Sequence, residues 1–368
     1  MLAMKKRVLV AGAGKVGKLL ACLLADAQDY EVHLADVQFD PEELPQSLRD
    51  KIHYHQLNVT ETEAWQSFIK AHPIDAVVSC LPYFCNLALA YLADQSAIHY
   101  FDLTEDVVTT EAVKRLSQGK SKAYAPSCGL APGFVNLAAH HLMQGFSDID
   151  TVKLRVGGLP LVTNNALMYA LTWSTDGLIN EYGNICRAII DDKAVELQPL
   201  ENTETIELDG IIYEAFNTSG GVGSLVDTCL GKTKNLNYKT IRYPGHCEKM
   251  RFLMNDLKLN EDRPSLKRIL EAALPKVTHD VVIIYISVIG HREDHFTEAL
   301  YVNKFYSQVL FGKTWAALQI TTAASAAALI DLVLSQPEKY HGMVLQEDIS
   351  WPLFLSNQFG KIFKSDNV

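Results

Sequence analysis

The chain has no CxxC pair, no HExxH and no spaced cluster of His, Cys and carboxylate residues. These absences argue against a zinc frame or any metal centre. The seven cysteines, Cys22, Cys80, Cys85, Cys128, Cys186, Cys229 and Cys247, are odd in number. In 368 residues that suits free thiols in a reducing compartment, not a disulfide framework. No lysine–arginine block occurs and the formal net charge is −10, so no nucleic-acid partner is expected. No window reaches about 18 uninterrupted apolar residues, and the N-terminal apolar run is too short for a signal peptide. The expectation is a cytoplasmic protein without a membrane partner. Repeats, low-complexity tracts and long linkers are missing as well, which leaves ordinary globular domains.

The chain does have ample apolar material, 48% of its residues, enough to build two domains. In the first third, short apolar runs alternate with amphipathic stretches. KRVLVA (6–11), EVHLA (31–35), 52–57, DAVVSC (75–80), HYFD (99–102) and 122–126 read as strands. The segments 15–27, 63–71, 85–94 and 107–116 read as helices between them. This alternation predicts a doubly wound parallel sheet. The grammar changes after about residue 150. Residues 206–208 and 211–213 flank Asp209-Gly210, a hairpin dipeptide. Two β-rich runs, 280–288 and 298–305, are joined by the polar turn HRED, and 314–334 is a long Ala-rich helix. The predicted class is α/β: a Rossmann doubly wound parallel sheet plus a second α+β domain with a mixed sheet. The expected boundaries are 1–128, completed by C-terminal helices over 312–368, and 129–311 for substrate and dimer contacts.

Gly12-Ala13-Gly14-Lys15-Val16-Gly17 is a GxGxxG sequence between the first strand and the first helix. In that context Gly12 permits the tight turn, Gly14 lets backbone N–H groups and the helix N-terminus meet a pyrophosphate, and Gly17 lets helix and strand approach. Lys15 and Val16 lie in the same turn. Asp36 ends the second strand, where a carboxylate accepts from the adenosine ribose hydroxyls and repels a 2′-phosphate. No basic residue follows in Val37-Gln38-Phe39, so NAD is expected over NADP. Asn58 and Val59, and Cys80, Leu81 and Pro82, follow the carboxyl ends of the third and fourth strands and border the cofactor crevice.

Tyr83 follows the fourth strand, and Asp102 ends the fifth, where it can hold a substrate ammonium, accept its proton or cap the next helix. Cys128 has no acid–base partner nearby in sequence and reads as an inert thiol. Arg242-Tyr243-Pro244-Gly245-His246 is the densest chemical cluster of the second half. Arg242 suits a bidentate grip on a carboxylate. Tyr243 stands beside it, and His246 is a candidate base or proton relay. Trp173 is a candidate pocket wall.

Five segments carry a family resemblance: FDLTED (Phe101–Asp106), CGLAPGFVNLAAHHL (Cys128–Leu142), GGLP (Gly157–Pro160), TWSTDGLINEY (Thr172–Tyr182) and IRYPGH (Ile241–His246). With them the chain resembles the saccharopine dehydrogenase family, and within it is most similar to the lysine 6-dehydrogenase branch. The resemblance implies a substrate contact at Tyr83, chemistry on a C–N bond of a lysine-like amino acid, and a homodimer. One position departs from saccharopine reductases. They carry Arg where this chain has Asp176, which accepts hydrogen bonds only and cannot hold a substrate carboxylate. Three readings follow. The first is oxidative deamination of a lysine-like amino acid. The second is a saccharopine-type reductase joining an aldehyde to an amine. The third is a nucleotide-binding regulatory protein without turnover.

Overall fold

Short apolar runs buried on both faces build the first sheet, as parallel strands between helices require. The computed structural model describes residues 5–364. By contacts the chain divides into two units. The first comprises residues up to Gly133, then Val309–Trp315 and Gln319–Lys364; the second comprises Phe134–Gln308 with Ala316–Leu318.

The strands of the first unit are β1 (Lys6–Ala11), β2 (Tyr30–Asp36), β3 (Ile52–Gln56), β4 (Ala76–Ser79), β5 (His99–Asp102) and β6 (Ala123–Ala125). They pair in the order β6-β5-β4-β1-β2-β3, all parallel, and Gly342–Met343 adds a seventh strand beside β6. This is the Rossmann order, and its switch point lies between β1 and β4. The connecting helices are α1 (Lys15–Asp26), α2 (Thr62–Ala71), α3 (Tyr83–Gln95) and α4 (Val107–Leu116). α4 starts where the Asp106 carboxylate accepts from Thr109 N–H at 2.7 Å. That cap is Asp106, not the Asp102 considered from the sequence.

Strand periodicity places His53 and His55 on one face of β3, and the register sets His33 of β2 beside His53. Phe68 and His72, at the end of α2, stand against them. Burial, and then the neighbouring imidazoles, lowers His33 and brings His55 down to about 4. Burial, with the charge of Lys122, does the same to His99, also to about 4. The folded chain therefore resists protons that the unfolded chain accepts below the ordinary value of 6.5. Stability from these groups is complete above about pH 6.5 and is lost as pH falls toward about 4. Denaturant midpoints at about pH 7.5, 6 and 5 should decrease in that order, and His55→Gln should flatten the slope. A midpoint indifferent to pH across that range contradicts the assignment.

The second unit contains β7 (Asp148–Pro160), β8 (Cys186–Ile190), β9 (Lys193–Leu197), β10 (Glu204–Leu208), β11 (Ile211–Asn217), β12 (Thr233–Arg242), β13 (Asp280–Arg292) and β14 (His295–Tyr306). The sheet runs β10-β11-β12-β7-β13-β14 and is mixed: β12 and β7 are parallel, the other neighbours antiparallel. Its helices are α5 (Phe134–Met143), α6 (Thr175–Gly183), α7 (Leu225–Cys229), α8 (His246–Arg251) and α9 (Arg263–Ala273). HRED divides: His291 and Arg292 extend β13, and Glu293-Asp294 make the turn to β14. The ladder runs on to Arg292 opposite His295, because polar residues are tolerated at an exposed hairpin tip. The β8–β9 hairpin has no counterpart among the strands read from the sequence; it turns on Asp191 and Asp192, both at positive φ. The Ala-rich stretch forms α10 (Ala317–Ser335). α10 is long and apolar enough to cross a membrane by composition, but 72% of its apolar window is buried inside the protein.

Candidate active site

The glycine turn is built as its chemistry demands. Gly12 sits at φ +101°, and a Cβ there would lie 2.9 Å from the Cys80 carbonyl oxygen. A Cβ on Gly17 would lie 1.9 Å from the Gly12 oxygen, so only glycine lets α1 close on the turn. Gly14 differs: it is exposed, it is the N-cap of α1 without a side-chain cap, and nothing lies within 4 Å of its Cβ position. α1 thus opens without an N-cap side chain, on the positive end of its dipole. Lys15 and Val16 are half-buried in the same turn. Asp36 accepts from Ala13 N–H at 2.6 Å and from Gln38 N–H at 3.2 Å. Two backbone donors hold this carboxylate beside the turn, and each oxygen retains a lone pair for a ribose hydroxyl. These features fit a dinucleotide.

The other crevice residues divide. Val37 is 59% exposed, Leu81 lies against Gly12, and Pro82 is the exposed N-cap of α3. Cys80 ties β4 to β1 through its N–H on Ala11 O, and burial pushes its thiol up to about 12. Asn58 organises a turn, accepting from Thr60 and donating to Glu61. Val59 is a correction to the sequence reading: it is buried among Trp65, Phe68 and Leu89 as part of the core.

Tyr83 is half-buried at the first residue of α3. Asp102 is fully enclosed. It accepts from Tyr100 O–H at 2.8 Å, Thr104 N–H at 2.9 Å and Ser127 N–H at 3.0 Å. Burial raises its pKa against those three donors. Its place is that of a tie between the loops after β5 and β6, not of an open base. The adjacent Cys128 is also enclosed; its thiol donates to Ala125 O, and burial holds its pKa well above the ordinary value.

In the second unit β12 ends on Arg242, which is 4% exposed. Its guanidinium lies over the rings of Tyr169 and Tyr182, 4.9 and 5.8 Å from their centroids. Nε donates to the Tyr182 oxygen at 2.8 Å and Nη1 to Ile241 O at 2.9 Å. Among the described residues no carboxylate lies within ion-pair distance of it; the charge of Glu181 acts from farther away. Burial opposes the cation, yet Tyr182, Tyr169 and Glu181 hold its pKa above the ordinary value. Trp173, half-buried, donates through Nε1 to the Tyr169 oxygen at 3.2 Å. Gly177 makes room for that indole, since a Cβ there would meet the ring at 2.4 Å.

His246 is 1% exposed. Its Nδ1 is 2.8 Å from Leu167 O and its Nε2 3.1 Å from the Tyr182 oxygen. Burial, then the Arg242 charge, drives the imidazole down to about 3. It is neutral, with both nitrogens engaged, and so is not the exposed base or relay expected from the sequence. Tyr243 also moves. Neighbours on a strand point to opposite faces, so its hydroxyl reaches Pro160 O at 3.0 Å and its ring stacks on Tyr213, away from Arg242.

Residues 8–127 match the family description Saccharopine dehydrogenase NADP binding domain, and residues 129–356 match Saccharopine dehydrogenase C-terminal domain. The chain belongs to the saccharopine dehydrogenase family. It is an oxidoreductase fold with an NAD(P)-binding Rossmann unit. Among solved structures it is similar to the saccharopine dehydrogenase (L-Glu forming) of Saccharomyces cerevisiae. That match has 16% identity and a TM-score of 0.77, and covers 96% of this chain and 98% of the other. It is also similar to the homospermidine synthase of Legionella pneumophila, determined in complex with NAD, at 13% identity, TM-score 0.67, and 98% and 90% coverage.

Within this saccharopine dehydrogenase family chain, Asp176 is spoken for: its carboxylate takes Lys267 Nζ at 2.6 Å, tying α6 to α9. Pro244-Gly245 does form a sharp turn, with Gly245 at φ +87°. Glu214 serves that turn, accepting N–H groups of Gly245 and Cys247 at the start of α8. Glu214 and Tyr169 are absent from the sequence reading. They stand 28 or more residues from Arg242, and no local pattern links them. Among the described residues no group of three His, Cys, Asp or Glu side chains is arranged to hold a metal ion.

Proposed function

We propose that this chain is an NAD-dependent dehydrogenase of a lysine-like amino acid, oxidising a carbon that bears an amine to a semialdehyde or cyclic imine. The observation that carries this reading is Arg242. Among the described residues three Lys or Arg side chains are buried: Arg155, Lys239 and Arg242. Arg155 and Lys239 are both spent on Glu204. Arg242 alone is buried without an ion pair to a carboxylate of this chain, which leaves its guanidinium to hold the carboxylate of a substrate. One such cation suits a substrate with one carboxylate. Joining an aldehyde to an amino acid, as the saccharopine-type reaction does, calls for more than one grip.

The bound nicotinamide supplies the hydride acceptor. The chain's own residues bind and orient. In the first unit the N-terminus of α1 would receive the pyrophosphate and Asp36 the ribose diol; in the second unit Arg242 would take the carboxylate. Asp102 and His246 are enclosed, so the amine proton passes to water, and the rate follows the free-amine fraction. The carboxylate of Asp36, with a lone pair left on each oxygen, supports NAD over the NADP of the family description. Asp36→Ala is expected to weaken NAD binding about tenfold and to narrow the preference over NADP; unchanged affinity for both refutes this placement of the ribose.

L-Lysine and NAD⁺ at mildly alkaline pH should give growth at the NADH absorbance band. No growth with lysine, ornithine or a diamine removes the reading. A homodimer belongs to the same proposal. β14 ends its sheet with Phe296, Leu300 and Tyr306 exposed, and a monomeric mass in solution contradicts it.

A further inference from the structure

The hydrogen bonds around Arg242 have a direction. A carbonyl oxygen only accepts, so His246 must donate from Nδ1 to Leu167 O. Its Nε2 is then a bare acceptor and takes the Tyr182 O–H. The Tyr182 oxygen in turn accepts Arg242 Nε–H. The order of donation is Arg242 to Tyr182 to His246 to the Leu167 carbonyl, with no choice of sense at any link. Tyr182 and His246 are each 1% exposed, and their rings lie edge to face at 5.8 Å.

A guanidinium offers a carboxylate two bidentate edges: the side edge, Nε with Nη2, and the end edge, Nη1 with Nη2. Tyr182 occupies Nε. Nη1 gives one of its two N–H groups to Ile241 O at 2.9 Å. The end edge is what remains. The Tyr169 ring, held through its oxygen by Trp173, covers a face of the guanidinium.

Resting on the reading of Arg242 as the carboxylate holder, we propose that Tyr182, locked by His246, is a positioning residue for substrate selection. It closes the side edge of Arg242, so that a substrate carboxylate is taken end-on by Nη1 and Nη2 alone. Selection of an amino acid over the corresponding diamine then depends on Tyr182 and His246, although neither touches the substrate.

The test compares kcat/KM for L-lysine with kcat/KM for 1,5-diaminopentane, which is lysine without its carboxylate, in the full chain with NAD⁺. Wild type should favour lysine, and Arg242→Ala should abolish the preference. Tyr182→Phe keeps the ring and loses the hydroxyl; it should reduce the preference about tenfold, chiefly through KM for lysine, with the diamine little changed. His246→Leu should act in the same direction. His246→Gln, whose amide oxygen can still accept from Tyr182, should restore much of the preference. A merely structural role lowers both substrates together. If Arg242→Ala abolishes the preference and Tyr182→Phe leaves it at the wild-type value, the positioning role is overturned while the function stands. If wild type has no preference, or Arg242→Ala keeps it, the carboxylate reading falls and the positioning role with it. Where neither substrate is turned over, calorimetry of lysine binding decides. Binding lost in Arg242→Ala and weakened in Tyr182→Phe supports the role; binding indifferent to Tyr182→Phe, or none by wild type, overturns it.

Discussion

Gly17→Ala should unfold the cofactor turn. Its new Cβ would sit 1.9 Å from the Gly12 carbonyl oxygen. Backbone cannot swing aside as a flexible side chain can, so α1 must move away from β1. Overpacking of this kind costs about 3 kcal/mol, a fall of roughly 6–12 °C in the unfolding midpoint for a domain of this size. NAD binding should be lost with it. Gly14→Ala is the internal control. Nothing lies within 4 Å of that Cβ, and Gly14 is not at positive φ, so the midpoint should stay within about 2 °C. NAD affinity should still drop, because the methyl group stands where the pyrophosphate meets the helix N-terminus. Thermal melts and NAD titrations on both variants separate the roles. Equal melting points for the two would show that Gly17 is not the tight contact described.

Arg242→Ala should have the second large effect. Loss of a charged bidentate contact removes about 2–3 kcal/mol of binding, which raises KM for L-lysine about 30- to 150-fold. KM for NAD should not change, since Arg242 belongs to the second unit and the glycine turn to the first. The melting point is diagnostic in its own right. Removing one partner of a buried ion pair destabilises strongly; removing a buried charge that makes no ion pair does not. Because the guanidinium also makes two hydrogen bonds and lies over two rings, the variant should melt a few degrees below wild type in the absence of substrate, less than a broken ion pair would cost. A marked fall in midpoint with an unchanged KM would make Arg242 a structural residue.

The first unit was legible because its signals are local. Strand, glycine turn, amphipathic helix and closing carboxylate follow one another within 31 residues, Lys6 to Asp36. Each has a steric or electrostatic reason that holds in any Rossmann unit. Crevice positions were less readable. Asn58 and Val59 are adjacent, yet one organises a turn and the other joins the core, since side-chain direction after a strand depends on the loop's path. In the second unit the hairpin over Asp209-Gly210 was visible through its turn chemistry, with both residues at positive φ. IRYPGH showed Arg242 and His246 as a cluster. Proximity in sequence suggested a shared site with Tyr243, but strand alternation sends Tyr243 to the other face.

The sequence by itself determined the fold class, the cofactor turn and the acidic residue beside it, because short-range sterics and the helix dipole are written into consecutive residues. Only the tertiary structure decided how deeply Asp102, His246 and Arg242 are buried and what they touch. Enclosure turned Asp102 into a tie between loops and left His246 neutral behind Tyr182. The same packing brought Tyr169, Tyr182 and Trp173 around an arginine and gave it no ion pair. Burial and pairing are properties of residues far apart in the chain, and they set whether a titratable group is a base, a prop or a grip.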